Sequence, residues 1–333
     1  MSLNEIARAL VAPGKGILAA DESTPTIGKR FDTIGVESTE EARKKYRELL
    51  LTTEGMENYI SGVILFDETL RQSSKEGVPF PKLLQGKGVI PGIKVDTGAK
   101  PMQNSENEKV ADGLDGLPER LKEYFELGAR FAKWRAVITI DEGIPTDECL
   151  NENAKRLAQY AKFVQEANMV PIVEPEVLMD GGHDIDRCFD VTTRVLRRVF
   201  EELKTQQVQL DGILLKPNMV IPGKEWGKVG ADEVARKTLV CFKEVVPAEV
   251  PGIVFLSGGQ TEVEACENLN AINIAELDKP WELSFSYGRA LQASALQAWS
   301  GKEENILAAQ KAFLHRAKLT SAARSGTYNS DME

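Results

Sequence analysis

The feature that most constrains the fold is a short apolar run that recurs eight times along the chain. Each run is nearly free of polar residues and is followed by a turn and a longer helical pattern. Such runs are typical of strands that are covered on both faces. The eight predicted strands occupy residues 16–23, 59–66, 89–96, 133–140, 169–176, 210–218, 252–259 and 283–288.

Helical patterns fill the intervals between the predicted strands. Ser38, followed three residues later by Glu41, and Thr146, followed by acidic residues, have the composition of N-caps. The predicted helices span residues 38–57, 118–129, 146–167, 185–205, 230–245, 260–270 and 289–300, with a last helix at 302–322.

Eight strand–helix alternations predict an α/β fold, a (β/α)8 TIM barrel. A doubly wound sheet is the alternative, but it does not need eight units, and no GxGxxG motif follows the first strand. No linker rich in Pro, Gly or Ser divides the chain, so a single domain is expected over residues 1–333. We expect the segment after the extra C-terminal helix to be a short mobile tail.

Composition excludes several classes of protein. Hydrophobic residues make up 42% of the chain, which is enough for a sizeable core, and the net charge of −10 disfavours nucleic acid and anionic membranes as partners. No apolar run approaches the ~20 residues of a membrane helix, and the first residues lack the pattern of a signal peptide. The four cysteines are scattered without CxxC pairing, as in reduced cytoplasmic proteins.

Charged side chains stand at the ends of six of the eight predicted strands. Because the active sites of barrels lie at the carboxyl ends of the strands, these groups are expected to meet in one site. Chance placement would favour loops and helix faces instead. The polar residues at strand ends are Asp21, Ser23, Lys94, Asp96, Lys133, Arg135, Glu174, Glu176, Lys216, Ser257 and, at the last strand, Ser286 to Arg289.

These residue types suggest covalent catalysis by an amine. Three lysines and Arg135 near one barrel mouth are expected to repel each other, which would lower a lysine pKa towards the neutral, nucleophilic form. The acids Asp21, Glu174 and Glu176 can transfer protons during imine formation and C–C cleavage.

Two glycine-containing turns suggest a phosphate site. The turns Ser257-Gly258-Gly259 and Ser286-Tyr287-Gly288-Arg289 follow the seventh and eighth strands, where barrels commonly bind phosphate. Glycine lets the backbone approach an anion closely, and Ser and Arg add hydrogen bonds.

No metal or other cofactor is expected. The chain holds only two histidines, His183 and His315, which are far apart in sequence, whereas a zinc site normally takes two or three. Both histidines are interpreted as loop or packing residues.

The segments LAADEST, GIKVD, KWRAVI, PIVEPE, ILLKPNM, FLSGGQ and SFSYGRALQ, in this order, resemble class I fructose-bisphosphate aldolase along nearly the whole chain. The resemblance implies that Lys216 forms a Schiff base with the ketose and that Glu174 is the general acid/base of its formation and breakdown. It also implies that Asp21 takes the proton of the C4 hydroxyl with Lys133 beside it.

The resemblance also implies a charge network and two phosphate ends. Glu176 and Lys94 are expected to support the network. The residues that resemble the family's site for the C1 phosphate are Ser257, Gly258, Gly259, Ser286, Gly288 and Arg289. Those that resemble its site for the C6 phosphate are Ser23, Thr26, Arg30, Lys94 and Arg135. The implied reaction is the reversible cleavage of fructose 1,6-bisphosphate in glycolysis and gluconeogenesis, by a cytoplasmic homotetramer.

The sequence departs from the family pattern at three places. Asp211 stands where the lysine signature usually has Glu, and Pro25-Thr26 replaces a frequent Gly-Ser pair. Relatives carry a mobile tail that ends in Tyr, whereas Tyr328 is the tyrosine nearest the end here. We therefore expect Glu174, rather than Tyr328, to protonate the enamine.

Other functions remain open at this point. A transaldolase-like or deoxyribose-phosphate-type lyase is also a Schiff-base barrel, although two phosphate ends favour a bisphosphate. A catalytically silent barrel that serves as a binding scaffold is disfavoured by the set Asp21, Lys133, Glu174 and Lys216. The sequence does not distinguish among fructose 1,6-bisphosphate, fructose 1-phosphate and sedoheptulose bisphosphate.

Overall fold

Eight parallel strands close into a barrel in the computed structural model, which describes residues 1–103 and 105–333. Around the barrel the strands follow the order β1, β2, β3, β6, β7, β8, β9, β10, and β10 pairs with β1. A two-stranded antiparallel hairpin, β4 and β5, leaves the barrel after β3. The strands are β1 Gly16–Ala20, β2 Ile60–Leu65, β3 Ile90–Lys94, β4 Gly98–Met102, β5 Ser105–Asp112, β6 Phe131–Ile138, β7 Val170–Val177, β8 Leu214–Leu215, β9 Gly252–Phe255 and β10 Glu282–Tyr287.

The predicted TIM barrel is confirmed, and each predicted strand overlaps a barrel strand. The sixth prediction, residues 210–218, was too long, because only Leu214–Leu215 form ladder structure. Residues Leu210–Gly212 form a 3₁₀ turn before it. Pro217 follows it and has no N–H to continue the ladder, so β8 ends where Lys216 begins the loop.

Helices surround the barrel and follow most of the predicted patterns. Thr146 caps its helix as expected, since its side chain accepts a hydrogen bond from the Cys149 N–H. The cap predicted at Ser38 was wrong, because Thr39 caps that helix through the Ala42 N–H. The helices are α1 Leu3–Leu10, α2 Thr24–Asp32, α3 Glu40–Thr52, α4 Asp67–Leu70, α5 Phe80–Gly86, α6 Leu117–Glu126, α7 Asp147–Glu166, α8 Ile185–Thr205, α9 Ala231–Val245, α10 Glu262–Ile274, α11 Arg289–Trp299 and α12 Ile306–Arg324.

Two helices near the N-terminus were missed by the sequence analysis. One of them, α2, carries Pro25 in its first turn, where proline is well suited because the N–H it lacks has no helical partner. The other missed helix, α1, is capped by Ser2 and buries Ile6, Ala7 and Leu10 across the N-terminal end of the barrel. It therefore closes the end opposite the predicted site.

The core has an outer and an inner part. The outer part fills the space between the barrel and its ring of helices. The inner part lies inside the N-terminal half of the barrel, and its buried members are Ile6, Ala7, Leu10, Val11, Ile17, Ala19, Ile64, Phe131, Val170, Ile172, Leu214 and Val254. None of the helices in the described part of the chain has the length and apolar character needed to span a membrane.

The segment after α12, for which a mobile tail is predicted, contacts two helices through Tyr328. Tyr328 is only 7% exposed, and its backbone N–H donates to Asn270 Oδ1 at 3.1 Å. Its hydroxyl donates to Glu333 Oε1 at 2.7 Å, and the other oxygen of Glu333 forms an ion pair with Arg316 of α12. These contacts hold Tyr328 against α10 and α12.

Candidate active site

A cavity of about 1070 Å³ opens at the carboxyl ends of the barrel strands. Every residue that the sequence analysis assigned to the site lines it, so the predicted convergence is found in the structure. These residues are Asp21, Ser23, Thr26, Arg30, Lys94, Lys133, Arg135, Glu174, Glu176, Lys216, Ser257, Gly258, Gly259, Ser286, Gly288 and Arg289.

A chain of alternating charges crosses the floor of the cavity. Lys216 Nζ lies 3.1 Å from Glu174 Oε1, and Lys133 Nζ lies 3.1 Å from Glu174 Oε2. Lys133 Nζ also lies 2.8 Å from Asp21 Oδ2. The Lys133 contact with Glu174 lacks hydrogen-bond geometry, and Glu174 Oε2 has no hydrogen-bond partner among the described residues. That oxygen therefore keeps an unused acceptor position beside its ion-pair contact with Lys133.

The position of these alternating charges follows from strand geometry. Lys133 lies in the middle of β6, two residues before Arg135, with Trp134 turned to the opposite face and packed on Tyr160. The sequence analysis placed Lys133 at the start of its strand, which is wrong because β6 begins at Phe131. Glu174 occupies the middle of β7, opposite Arg135 in the register.

The electrostatics differ from the expected repulsion among lysines. Burial alone lowers the pKa of Lys133, but the charges of Asp21 and Glu174 outweigh it, so the pKa of Lys133 is raised. Burial raises the pKa of Asp21, yet Lys133 and Lys216 lower it further than burial raises it. The pKa of Glu174 is lowered for the same reasons, with Lys133 and Lys216 as the main opposing charges. The cations are thus interleaved with carboxylates rather than facing one another.

A second charged group lies on the β3 and β6 side of the cavity. Lys94 Nζ lies 2.6 Å from Asp96 Oδ1 and donates to the Asp96 carbonyl at 2.7 Å. The other carboxylate oxygen of Asp96 accepts the Arg135 N–H at 3.1 Å, while the Arg135 side chain pairs with Glu176. Asp96 therefore joins the end of β3 to the middle of β6.

The two glycine-containing turns are shaped for close approach by a ligand. Gly259 has φ of +78°, a conformation that L side chains rarely adopt. A Cβ at Gly258 would lie 2.8 Å from Glu176 Oε1, so a larger residue there would displace the Glu176 carboxylate. The Ser286 hydroxyl is buried with no hydrogen-bond partner among the described residues, and it lines the cavity. Such a hydroxyl is available to an anion bound there.

The wall next to the Ser286–Arg289 turn is formed by residues from the end of β1, which pairs with β10, and from α2. Ser23 Oγ and Thr26 Oγ1 lie 3.0 Å apart, and both side chains face the cavity. Arg30, further along α2, forms an ion pair with the buried carboxylate of Glu22.

The sequence analysis missed the residues that support this wall. Glu22 lies between Asp21 and Ser23 and also lines the cavity, and its partners Arg47 and Gln292 are distant in sequence. The sequence signal that could have identified Glu22 is its place at a strand end between two predicted site residues, Asp21 and Ser23.

The two histidines lie apart from the charge chain. The ring nitrogens of His183 are buried without hydrogen-bond partners among the described residues. Burial lowers the pKa of His183, which keeps the ring neutral. Within residues 1–103 and 105–333, no group of three or more His, Cys, Asp or Glu residues is arranged to hold a metal ion.

Comparison with known proteins matches the sequence of the chain to one family. The family profile described as fructose-bisphosphate aldolase class-I matches residues 2–333. The chain belongs to the class-I fructose-bisphosphate aldolase family. The family resemblance that the strand-end motifs indicated is thereby confirmed over the full barrel.

Individual members of the aldolase family are similar over nearly their whole length. A Xylella fastidiosa (strain 9a5c) protein named probable fructose-bisphosphate aldolase class 1 is 54% identical over 329 residues, covering 98% of this chain and 98% of that protein. Cytosolic fructose-bisphosphate aldolase 6 of Arabidopsis thaliana is 54% identical over 319 residues, covering 96% of this chain and 89% of that protein.

A solved aldolase has the same architecture. The Plasmodium falciparum fructose-bisphosphate aldolase, in a ternary co-crystal structure with TRAP and a small-molecule inhibitor, superposes with a TM-score of 0.96. The two sequences are 52% identical, and the match covers 98% of this chain and 95% of that one. The barrel described above is therefore the aldolase barrel.

Proposed function

We propose that the chain reversibly cleaves fructose 1,6-bisphosphate to dihydroxyacetone phosphate and glyceraldehyde 3-phosphate through a Schiff base on Lys216. The observation that carries this proposal is the buried chain Lys216–Glu174–Lys133–Asp21, with its contacts of 2.8–3.1 Å. It supplies a lysine nucleophile, a second lysine and two carboxylates in one cavity, which suits iminium catalysis.

The first step is attack by Lys216 on the C2 carbonyl. An ammonium cannot attack, so the amine must first lose a proton, and Glu174 Oε1 lies 3.1 Å away to accept it. The same carboxyl then returns the proton to the departing hydroxyl of the carbinolamine, which leaves as water. The product is an iminium at C2 that withdraws electrons from the C3–C4 bond.

Cleavage requires removal of the C4 hydroxyl proton. Asp21 is ionised because its pKa is lowered, and Lys133 holds it within 2.8 Å. As Asp21 takes the proton, the C4–O bond becomes a carbonyl and the C3–C4 electrons move to the iminium nitrogen. Lys133, which stays protonated, stabilises the negative charge that develops on the C4 oxygen.

Glyceraldehyde 3-phosphate leaves, and the remaining enamine on Lys216 must be protonated at C3. Glu174 lies in the cavity, and the proton that Asp21 took can return to it through Lys133, which contacts the two carboxylates at 2.8 and 3.1 Å, whereas the Tyr328 hydroxyl bonds to Glu333 on the α10–α12 side. We therefore propose Glu174 as the donor, directly or through water. Water then hydrolyses the iminium and releases dihydroxyacetone phosphate.

Two walls of the cavity are assigned to the two phosphates. The turns at Ser257 and Ser286 supply backbone N–H groups, hydroxyls and Arg289 for the C1 phosphate. We propose that the C6 phosphate lies towards Ser23, Thr26, Lys94 and Arg135, and that Glu176 holds Arg135 in place.

The setting of this activity is inferred from the family. Relatives named as cytosolic support a cytoplasmic enzyme. A role in glycolysis and gluconeogenesis and assembly as a homotetramer are proposed from the family resemblance alone. No cofactor is proposed, and activity is expected to survive prolonged EDTA treatment. A loss that zinc specifically restores would contradict this expectation.

The decisive experiment is borohydride reduction in the presence of dihydroxyacetone phosphate, followed by peptide mass spectrometry. The proposal expects one adduct, on Lys216. An adduct on Lys94 or Lys133 would reassign the nucleophile, and absence of any adduct in protein that cleaves the sugar would exclude the Schiff base.

A further inference from the structure

Lys216 stands at the start of a buried segment that is neither helix nor strand. Residues 216–223 lie between β8 and the exposed turn at Lys224, and every one of them is buried. A backbone N–H or C=O that is buried without a partner is costly, so loops normally run over the surface. The contacts that satisfy this segment are therefore the contacts that hold the nucleophile in place.

Two backbone hydrogen bonds join the first residues of the segment to the neighbouring strands. The Lys216 N–H donates to the Val173 carbonyl of β7 at 2.8 Å. The Pro217 carbonyl accepts the N–H of Leu256, which follows β9, at 3.1 Å. Pro217 has no N–H of its own to donate, so the regular ladder of β8 goes no further.

The side chain of Asn218 takes over where the ladder stops. Its Oδ1 accepts the N–H of Val177, the last residue of β7, at 3.0 Å. Its Nδ2 donates to the Met219 carbonyl at 3.1 Å and to Thr192 Oγ1 of α8 at 3.2 Å. Asn218 is 1% exposed, and the oxygen and both hydrogens of its amide have partners. None of the steps proposed above uses this residue.

Two buried threonines of the outer helices contact the segment from the side away from the cavity. Thr192 of α8 meets the Asn218 amide, and Thr238 of α9 accepts the Val220 N–H at 2.9 Å. The ring of helices therefore anchors the segment at Asn218 and again at Val220, shortly after Lys216.

From these contacts, and resting on the proposed function, we infer that Asn218 is a positioning residue for the nucleophile and that the Thr192 hydroxyl holds its amide. The amide ties the segment that begins at Lys216 to the last residue of β7, the strand that carries Glu174. It thereby maintains the 3.1 Å separation between Lys216 Nζ and Glu174 Oε1, across which a proton moves in the proposed reaction. The turns proposed for the C1 phosphate belong to other strands, so the expected effect is on rate and not on affinity.

The first test is Thr192→Val, which keeps the shape of the side chain and removes the hydroxyl. One amide hydrogen of Asn218 loses its partner, and kcat for fructose 1,6-bisphosphate is expected to fall about fivefold while KM stays within about twofold. Thr192→Ser keeps the hydroxyl and is expected to hold kcat within about twofold of the unmodified protein. Steady-state cleavage assays and Tm measurements on the same samples compare the two variants.

Thr193→Val is the matched control. Thr193 is the next residue along α8 and is also buried, but its hydroxyl lies 3.2 Å from Cys241 Sγ of α9. The control therefore removes a buried hydroxyl from the same helix without touching the Asn218 amide. It is expected to change Tm as much as Thr192→Val does and to leave kcat within about twofold.

The second test is Asn218→Ala, which removes all three contacts of the amide. It is expected to lower kcat by about 10²-fold, the typical cost of moving reacting groups by about 1 Å, while KM stays within about threefold. Rapid-quench borohydride trapping with dihydroxyacetone phosphate measures how fast the Lys216 adduct forms, and this rate is expected to fall by a similar factor. Should Asn218→Ala not fold, the Thr192 variants still test the same amide.

The outcomes separate this inference from the proposed function. A kcat loss in Thr192→Val no larger than that in Thr193→Val would overturn the inference. So would a rise in KM with kcat unchanged, or slow turnover in Asn218→Ala with the adduct forming at the unmodified rate. Absence of any Lys216 adduct in the unmodified protein would instead overturn the proposed function.

Discussion

The two ends of the barrel are built from the same strands but from opposite kinds of residue. Along β6, the inward positions change from Phe131 near the N-terminal end to Lys133 and Arg135 towards the cavity. Along β7, they change from Val170 and Ile172 to Glu174 and Glu176, in register with β6. Two residues, about 6.6 Å along a strand, separate a dry apolar layer from a charged one.

The comparison indicates how a charged layer is tolerated inside a barrel. At the N-terminal end, α1 excludes water, and close packing stabilises the fold: a Cβ on Gly62 would lie only 2.5 Å from Leu10 Cδ2. At the cavity end, Lys133, Glu174 and Lys216 are nearly as buried, and each is stabilised by an oppositely charged neighbour. We therefore expect substitutions at the closed end to change stability and substitutions at the cavity end to change rate.

The largest expected effect is at the nucleophile. Lys216→Met keeps the size of the side chain but removes the amine, and it should lower kcat/KM by at least about 10⁴-fold because no Schiff base can form. Steady-state cleavage assays and circular dichroism measure activity and folding on the same samples. Activity within tenfold of the unmodified protein would place the nucleophile elsewhere.

At the closed end, Leu10→Ala should lower the free energy of unfolding by about 2–5 kcal/mol, because the fully buried side chain leaves a cavity. Its kcat should stay within about twofold, since the charged layer is not touched. Leu307→Ala, at a side chain that is 71% exposed, is the matched control and should change stability by less than about 0.5 kcal/mol. Denaturant unfolding measures both. A loss of kcat in Leu10→Ala well beyond about twofold would show that the closed end and the cavity end are coupled.

Glu174→Gln tests the proton-transfer role at the cavity end. It should lower kcat by at least about 10²-fold, because the amide cannot exchange a proton with the amine or the carbinolamine. Single-turnover measurements would locate the slow step. A change in KM alone would restrict Glu174 to binding.

The smallest expected effect is at Tyr328, outside both layers. Tyr328→Phe removes the hydroxyl bond to Glu333 and should lower kcat by less than about tenfold. Hydrogen exchange at C3 of dihydroxyacetone phosphate reports the protonation step directly. A large loss of exchange, with C–C cleavage in single turnover intact, would identify Tyr328 as the enamine donor in place of Glu174.

Some predictions from the sequence were wrong at points where contacts distant along the chain decide the outcome. The expected repulsion among lysines is an example, because Lys133 lies between Asp21 of β1 and Glu174 of β7. The order of residues along a strand does not reveal which neighbour fills the space opposite. The helix α2 and the hairpin β4–β5 were missed because both are additional to the eight strand–helix units.

The sequence by itself determined the barrel, its strand positions and the set of residues that meet at its mouth. Eight apolar runs can be buried on both faces in few ways, and closing the barrel brings the strand ends Asp21, Lys94, Glu174 and Lys216 to one side. Only the tertiary structure decided which charges pair. Electrostatic energies depend on distances of a few ångströms and on burial, and both are set by side chains that residues far apart in the chain bring together.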